Sequence, residues 1–153
     1  MHGAAGWQVN RYVPALQEEL GFRYASDTRG RGPFLPLLEN GSAAVPQLPT
    51  TLPTLDELIG RPDLGDADPV EHLLAASDAE YARAHVFTLH AELEGGKYLP
   101  AFERLLRGWQ QRGAQLTDLA SYVATLDVRN LPRCAIVAGT VAGRSGTLAM
   151  QSR

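Results

Sequence analysis

The sequence predicts an α/β fold in which a small parallel sheet is flanked by helices. Helical segments alternate with short apolar runs that favour strands, at residues 22–26, 86–89 and 134–137. Residues 30–53 carry many prolines and glycines with little periodicity, and such a long stretch in a compact domain often carries function. So few strands leave the faces and edges of a parallel sheet uncovered, and the sheet is therefore expected to be incomplete.

Apolar periodicity predicts two helices. Apolar side chains recur at helical spacing over residues 98–112, and Gly113 stops that pattern. An earlier helix contains Pro14, which is tolerated in a first helical turn, and it ends at Gly21. Both stripes are typical of helices that pack one face against a core.

Capping residues predict three further helices. Thr54 and Asp68 are each followed three residues later by a glutamate, which is the pattern of a capping box at a helix start. Thr117 is predicted to cap a short helix, because threonine hydroxyls accept hydrogen bonds from free amides in a first turn. That last helix is expected to bury Leu119, Ala120 and Val123.

Composition and charge exclude several classes of protein. The 153 residues suit a single domain spanning residues 1–153, and a net charge of −3 without a basic stripe argues against a nucleic-acid partner. The single cysteine, Cys134, excludes an internal disulfide and a cysteine-based zinc cluster, and it fits a reducing compartment. No membrane span or signal peptide is recognisable. We expect a cytoplasmic location, and peripheral contact with the inner membrane stays open.

Polar side chains follow two predicted strands, where parallel α/β folds place functional residues. Ser26 and Asp27 follow the first strand, and His90 follows the second, with Glu92 and Glu94 just after it. An imidazole donates a proton near neutral pH, so His90 is a candidate general acid; the alternative is a hydrogen-bonded structural histidine. The two glutamates share one face if the strand continues. The histidines form no known metal motif.

Six segments of the chain carry a resemblance that runs in order over nearly its whole length. They are residues 4–7 (AAGW), 23–30 (RYASDTRG), 33–39 (PFLPLLE), 47–60 (QLPTTLPTLDELIG), 88–95 (TLHAELEG) and 142–146 (AGRSG). In these segments the chain resembles the C-terminal half of polysaccharide deacetylases of the NodB-homology type. It is most similar to their deformylase branch, which acts on undecaprenyl-phosphate 4-formamido-arabinose in lipid A modification.

The resemblance implies the C-terminal portion of a distorted (β/α)7 barrel and hydrolysis of an N-formyl or N-acetyl group. The implied substrate is a lipid-linked or oligomeric amino sugar. It also implies a divalent metal, zinc or similar, that activates water in the complete enzyme, with ligands in the half that these residues do not match. A general acid alone contributes about 10² to 10⁴-fold, so we expect the chain by itself to be inactive as a deacylase.

The resemblance also assigns residues. His90 matches the catalytic histidine that protonates the leaving amine, and the arginine usually found beside the tryptophan is Gln8 here. The predicted substrate-binding residues are Trp7, Asp27, Arg29, Glu92 and Glu94. The first three each have a structural alternative: packing for Trp7, a turn cap for Asp27 and a solvated charge for Arg29.

Three functional interpretations stay open at the level of sequence. The chain is part of a deformylase-like hydrolase whose metal-binding half is encoded upstream and covers the open sheet. Alternatively, it is a non-catalytic module that binds carbohydrate or lipid phosphate, as a monomer or as a homo-oligomer that covers the sheet edge; Gln8 leans toward this interpretation. Thirdly, it belongs to a deacetylase of another N-acetylated sugar.

Overall fold

A computed structural model describes residues 1–78 and 84–152, and within them the chain has the predicted mixed α/β character. In chain order the regular elements are α1 (Val13–Glu19), β1 (Leu35–Pro36), α2 (Leu55–Leu58), α3 (Pro69–Ser77), α4 (Leu99–Gln111), α5 (Leu119–Ala124), β2 (Arg133–Cys134), β3 (Ile136–Gly139) and β4 (Leu148–Gln151). They belong to two compact units: Met1–Thr51 with Asp118–Arg153 forms the first, and Leu52–Thr117 forms the second.

The first unit contains two small sheets. β1 pairs with β2 in parallel, with Leu35 opposite Arg133, and β3 pairs with β4 in an antiparallel ladder that joins Ile136 to Gln151. Single parallel bridges join Ala25 to Gln47 and Arg29 to Thr50. Residues 30–53 therefore supply β1 and bridge partners to the unit. Its buried apolar side chains include Trp7, Tyr24, Ala25, Phe34, Leu35, Leu48 and Leu148.

The strand predictions hold only in part. Residues 134–137 fall on β2 and β3, but residues 22–26 contribute no more than the bridging Ala25. Residues 86–89 form no strand, so the expectation that His90 follows a strand end is wrong. A short apolar run forms a strand only where the tertiary fold supplies a matching neighbour, so the run alone does not decide the outcome.

The second unit is built around a leucine-rich core with three helices, α2, α3 and α4. Its fully packed side chains are Leu52, Leu55, Leu58, Val70, Leu73, Leu74, Leu105 and Trp109. The Trp109 ring meets Phe87 edge to face, with ring centroids 5.4 Å apart. Its indole nitrogen donates a hydrogen bond to the Ser77 hydroxyl at 2.9 Å. The apolar face of α4, which includes Leu105 and Trp109, therefore packs against this core.

The helix predictions hold well, because their signals are local. α4 covers the predicted segment, α1 has Pro14 in its first turn, and Thr54 forms the expected capping box with Glu57 at the start of α2. The cap of α5 is Asp118, whose side chain accepts from the Ser121 amide, so the prediction of Thr117 is wrong by one residue. None of the predicted side chains of α5 is fully buried, since this helix lies at the surface.

Close packing between α3 and α4 generates a stability prediction. A Cβ on Gly108 would lie 2.6 Å from the Leu74 Cδ1 atom, whereas a Cβ on exposed Gly95 would meet nothing within 4 Å. We expect Gly108→Ala to destabilise the chain by about 1–2 kcal/mol through overpacking, against its helix-propensity gain. Gly95→Ala is the control. Urea unfolding measures both, and a Gly108→Ala variant as stable as wild type would contradict this packing.

The start of α3 generates a second prediction. Asp68 caps the helix by accepting from the Val70 amide at 2.9 Å, and a hydrogen bond from Arg104 holds the pKa of the Asp68 carboxyl below its usual value. Asn caps as well as Asp does, so Asp68→Asn removes only the ion pair and should cost at most about 1 kcal/mol, whereas Asp68→Ala also loses the cap, at about 1 kcal/mol more.

The pH dependence of the Asp68 ion pair follows from the direction of its pKa shift. Because the folded-state pKa is lowered, the stabilisation is present above the unfolded pKa of about 3.9 and is lost as the pH falls through the folded value. Thermal unfolding at pH 7 should therefore separate wild type from Asp68→Asn, and the gap should close in acid. A gap that stays constant into acid would argue against the ion pair.

Candidate active site

The predicted site residues fall into two groups, one in each unit. Trp7, Asp27 and Arg29 belong to the first unit, and His90 with the two glutamates belongs to the second. The two groups differ in chemistry. The second combines an imidazole with two carboxylates, whereas the first contains an indole, a carboxylate and a guanidinium.

His90 lies where an irregular segment enters a helical turn, with its side chain 30% exposed. Its Nε2 atom is 3.5 Å from the Asp56 Oδ1 atom, which is an ion-pair distance when the imidazole is protonated. The same Asp56 oxygen accepts a hydrogen bond from the Thr54 hydroxyl at 2.6 Å. Asp56 is thus positioned at the start of α2, and its carboxylate faces the His90 imidazole.

Glu94 fixes the backbone of His90 from the other side. Its side chain is 1% exposed, and its Oε2 atom accepts from the His90 amide at 2.8 Å. The second oxygen, Oε1, is buried with no hydrogen-bond partner among the described residues. A buried oxygen without a hydrogen bond costs free energy of folding. Packing of the surrounding fold must therefore hold Glu94 in place together with its hydrogen bond from His90.

Glu92 and Glu94 do not share a face. The chain turns into a π-helix over Leu93–Lys97 in place of the strand on which that expectation rested, and Gly95 and Gly96 supply the flexible backbone for it. Glu92 precedes this turn and is exposed, whereas Glu94 is buried. Only Glu94 therefore touches the His90 segment.

In the first unit, Trp7 is buried between arginines. The Arg29 and Arg144 guanidinium carbons lie 4.7 and 4.8 Å from the centre of its ring. Its indole nitrogen donates to the Thr50 hydroxyl at 3.0 Å. Trp7 has a φ of 55°, a conformation that costs a bulky residue about 1–3 kcal/mol. Cation–π contacts and the hydrogen bond hold the indole in this strained position.

Asp27 is the centre of a buried hydrogen-bond network. Its Oδ1 atom lies 2.7 Å from His2 Nδ1 and accepts from the Ala4 amide at 2.8 Å. Its Oδ2 atom accepts from the side-chain amides of Gln17 at 2.6 Å and Gln47 at 3.0 Å. With 1% exposure and protein donors on both oxygens, this carboxylate favours a structural role over contact with substrate.

Gln8, at the position of the usual arginine, is exposed and donates to the Thr147 carbonyl at 2.9 Å. Its side chain thus joins the N-terminal segment to the β3–β4 connection. Sequence reasoning missed Asp56, which lies inside the predicted capped start of α2, and Arg144, which lies in the matched segment 142–146 and was assigned no role.

Within residues 1–78 and 84–152, no three His, Cys, Asp or Glu side chains are close enough together to hold a metal ion. His90 and Asp56 provide two such groups and no third joins them. These residues therefore do not fit the metal that the family resemblance implies. Across the same ranges, no helix combines the length and the apolar character needed to cross a membrane.

The Asp27 network generates a stability prediction. Asp27→Asn replaces one carboxylate oxygen by an NH2 group, so a donor would face either the Ala4 amide or the side-chain amides of Gln17 and Gln47. We expect a loss of about 2–4 kcal/mol in the free energy of unfolding. Asp66→Asn, at an exposed position, is the matched control and should stay within about 0.5 kcal/mol of wild type. Equal stability of the two variants would show that the network contributes little.

Two curated proteins are similar to nearly the whole chain, whereas no protein-family model matches it. The probable 4-deoxy-4-formamido-L-arabinose-phosphoundecaprenol deformylase ArnD of Wigglesworthia glossinidia brevipalpis is 33% identical over 150 residues, and that of Shewanella sediminis is 29% identical over 148 residues. Both matches cover 97% of this chain but 51% and 46% of the relatives, so the chain spans about half their length. The predicted resemblance to this deformylase branch is confirmed, as a similarity to about half the length of these two proteins.

Proposed function

We propose that this chain is the part of a deformylase-type hydrolase that carries the proton donor for N-deformylation of a lipid-linked amino sugar in lipid A modification. The observation that carries the proposal is the placement of His90. Its imidazole is part-exposed, faces Asp56 at 3.5 Å, and has its backbone amide bound by Glu94. The similarity to proteins named as deformylases gives this histidine its reaction.

The chemistry requires a proton at a stated atom. When the C–N bond of a formamide breaks after water adds to the carbonyl, the departing sugar nitrogen must gain a proton to leave as an amine. In this proposal the His90 imidazolium supplies that proton. Asp56 stabilises the imidazolium and orients the ring, which is the role that a carboxylate has beside a catalytic histidine.

The proposal assigns no step on a metal to this chain, because its described residues do not fit one. A divalent metal such as zinc would polarise the formyl carbonyl and activate water in the complete enzyme. We propose that its ligands lie in the part of the relatives that this chain does not match. The parallel β1–β2 pair and the helices support a contribution to a distorted (β/α) barrel, and we propose a cytoplasmic location at the inner membrane.

A chimeric enzyme tests the proposal. These 153 residues replace the matched half of the Wigglesworthia relative, and release of formate from undecaprenyl-phosphate 4-formamido-arabinose is measured. We expect turnover by the chimera, a loss of about 10² to 10⁴-fold with His90→Ala, and a smaller loss of about 10 to 100-fold with Asp56→Asn. The range expected for Asp56→Asn is the one found for side chains that orient metal-binding histidines through hydrogen bonds. The unfused chain should release no formate.

Matched controls separate catalysis from folding. His72→Ala changes another histidine of the second unit, on helix α3, and should leave turnover unchanged. Circular dichroism shows whether each variant is folded. A folded chimera with the same rate in wild-type and His90→Ala forms would rule out the proton donor. A folded chimera that binds the lipid-linked sugar without turnover would favour the alternative, a non-catalytic binding module.

A further inference from the structure

A basic cavity lies in the first unit. It has a volume of about 480 Å³, and its polar lining comes from Arg29, Arg31, Thr50, Thr51 and Gln151. None of the described residues that line it is acidic. The cavity is thus lined by two arginines and two threonines, and guanidinium and hydroxyl groups are donors from which phosphate oxygens accept hydrogen bonds.

The backbone around the two arginines is tightly held. The Arg29 amide donates to the Ala149 carbonyl at 2.9 Å, and the Gln151 amide donates to the Arg29 carbonyl at 2.8 Å. The Arg31 amide donates to the Gln151 side chain, also at 2.8 Å. Two segments that are distant in sequence therefore fix the main chain of the pair, and the Arg31 side chain remains exposed.

Gly30 makes this arrangement possible by having no side chain. A Cβ at this position would lie 2.6 Å from the Gln151 Oε1 atom and 3.0 Å from the Pro49 Cβ atom. Any larger residue would push Gln151 away from the amide of Arg31. The two arginines thus lie on either side of Gly30, in a main-chain segment that is hydrogen-bonded to Gln151.

Trp7 adds order to the same region. Arg29 is buried against its ring at 4.7 Å, and Arg144 reaches the ring at 4.8 Å from a different segment. Two arginines thus converge on an indole that Thr50 also holds. A guanidinium that packs on an aromatic ring is pre-organised, so less freedom is lost when it binds an anion.

We propose that this cavity binds a phosphate ester. Arginine forks match phosphate oxygens in pairs, and the cavity is larger than a phosphate alone, so it also accommodates groups attached to it. This inference rests on the proposed function for the source of the phosphate, which is the ester that joins the amino sugar to its lipid carrier. The arginine cavity would then anchor the carrier end of the substrate.

Binding measured on the full chain tests the site without requiring turnover. Isothermal titration uses farnesyl phosphate, farnesol and inorganic phosphate as probes. We expect saturable binding of farnesyl phosphate that is tighter than that of inorganic phosphate, weakens as salt is added, and is absent for farnesol. Arg31→Gln should weaken it by at least about tenfold, since each tenfold change corresponds to one lost charge-assisted contact of ordinary strength.

Two matched pairs of variants control the test. Arg107→Gln makes the same change of charge at an exposed position on α4, and it should leave the affinity within about twofold. Gly30→Ala should weaken binding without changing the charge, whereas Gly32→Ala, where a Cβ meets nothing within 4 Å, should not. Both arginine variants retain the main-chain hydrogen bonds, so folding is expected to be preserved.

The outcomes are distinct. No binding of either phosphate, or equal affinity in wild type and Arg31→Gln, overturns the site. Equal affinity for inorganic and farnesyl phosphate, both lost in Arg31→Gln, supports a phosphate site but overturns its assignment to a lipid-linked ester. Loss of formate release in the chimera with phosphate binding intact would overturn the proposed function and leave this site standing.

Discussion

The account of this protein depends on one hydrogen bond, between the buried Glu94 carboxylate and the main-chain amide of His90. It fixes the backbone of His90 at the point where an irregular segment enters the π-helix. Asp56 then faces the imidazole from the cap of α2. A proton donor needs this kind of restraint, because a freely rotating imidazole would reach the leaving nitrogen only occasionally.

The two units offer different chemistry. The second unit places the Asp56 carboxylate opposite the His90 imidazole. The first unit gathers Arg29 and Arg144 around Trp7 and uses the Asp27 network to tie the N-terminal segment to α1 and to Gln47.

Much of the helical structure could be predicted from sequence, and little of the sheet structure. The caps at Thr54 and Asp68 and the stripe of α4 depend on residues within a few positions of each other. The bridges of Ala25 and the pairing of β1 with β2 join segments that are far apart in the chain. Such pairing is decided by the tertiary fold, and a short apolar run does not reveal its partner.

The candidate site shows the same limit. His90 could be singled out from its segment, but its neighbour Asp56 lies 34 positions earlier and already has a local explanation as part of a helix cap. The burial of Glu94 depends on the π-helix, which two glycines permit and which stands where a continuing strand would have put both glutamates on one face. Geometry of this kind is set by packing, and spacing alone does not contain it.

The central claim is that His90 faces the amide of the substrate. Nuclear magnetic resonance of the imidazole nitrogens during titration with 4-formamido-arabinose phosphate tests it most directly, because the other three of the four histidines serve as internal references. The account predicts that the His90 signals shift with saturation while those of His72 stay unchanged. Unchanged His90 signals at a concentration that saturates binding would contradict it.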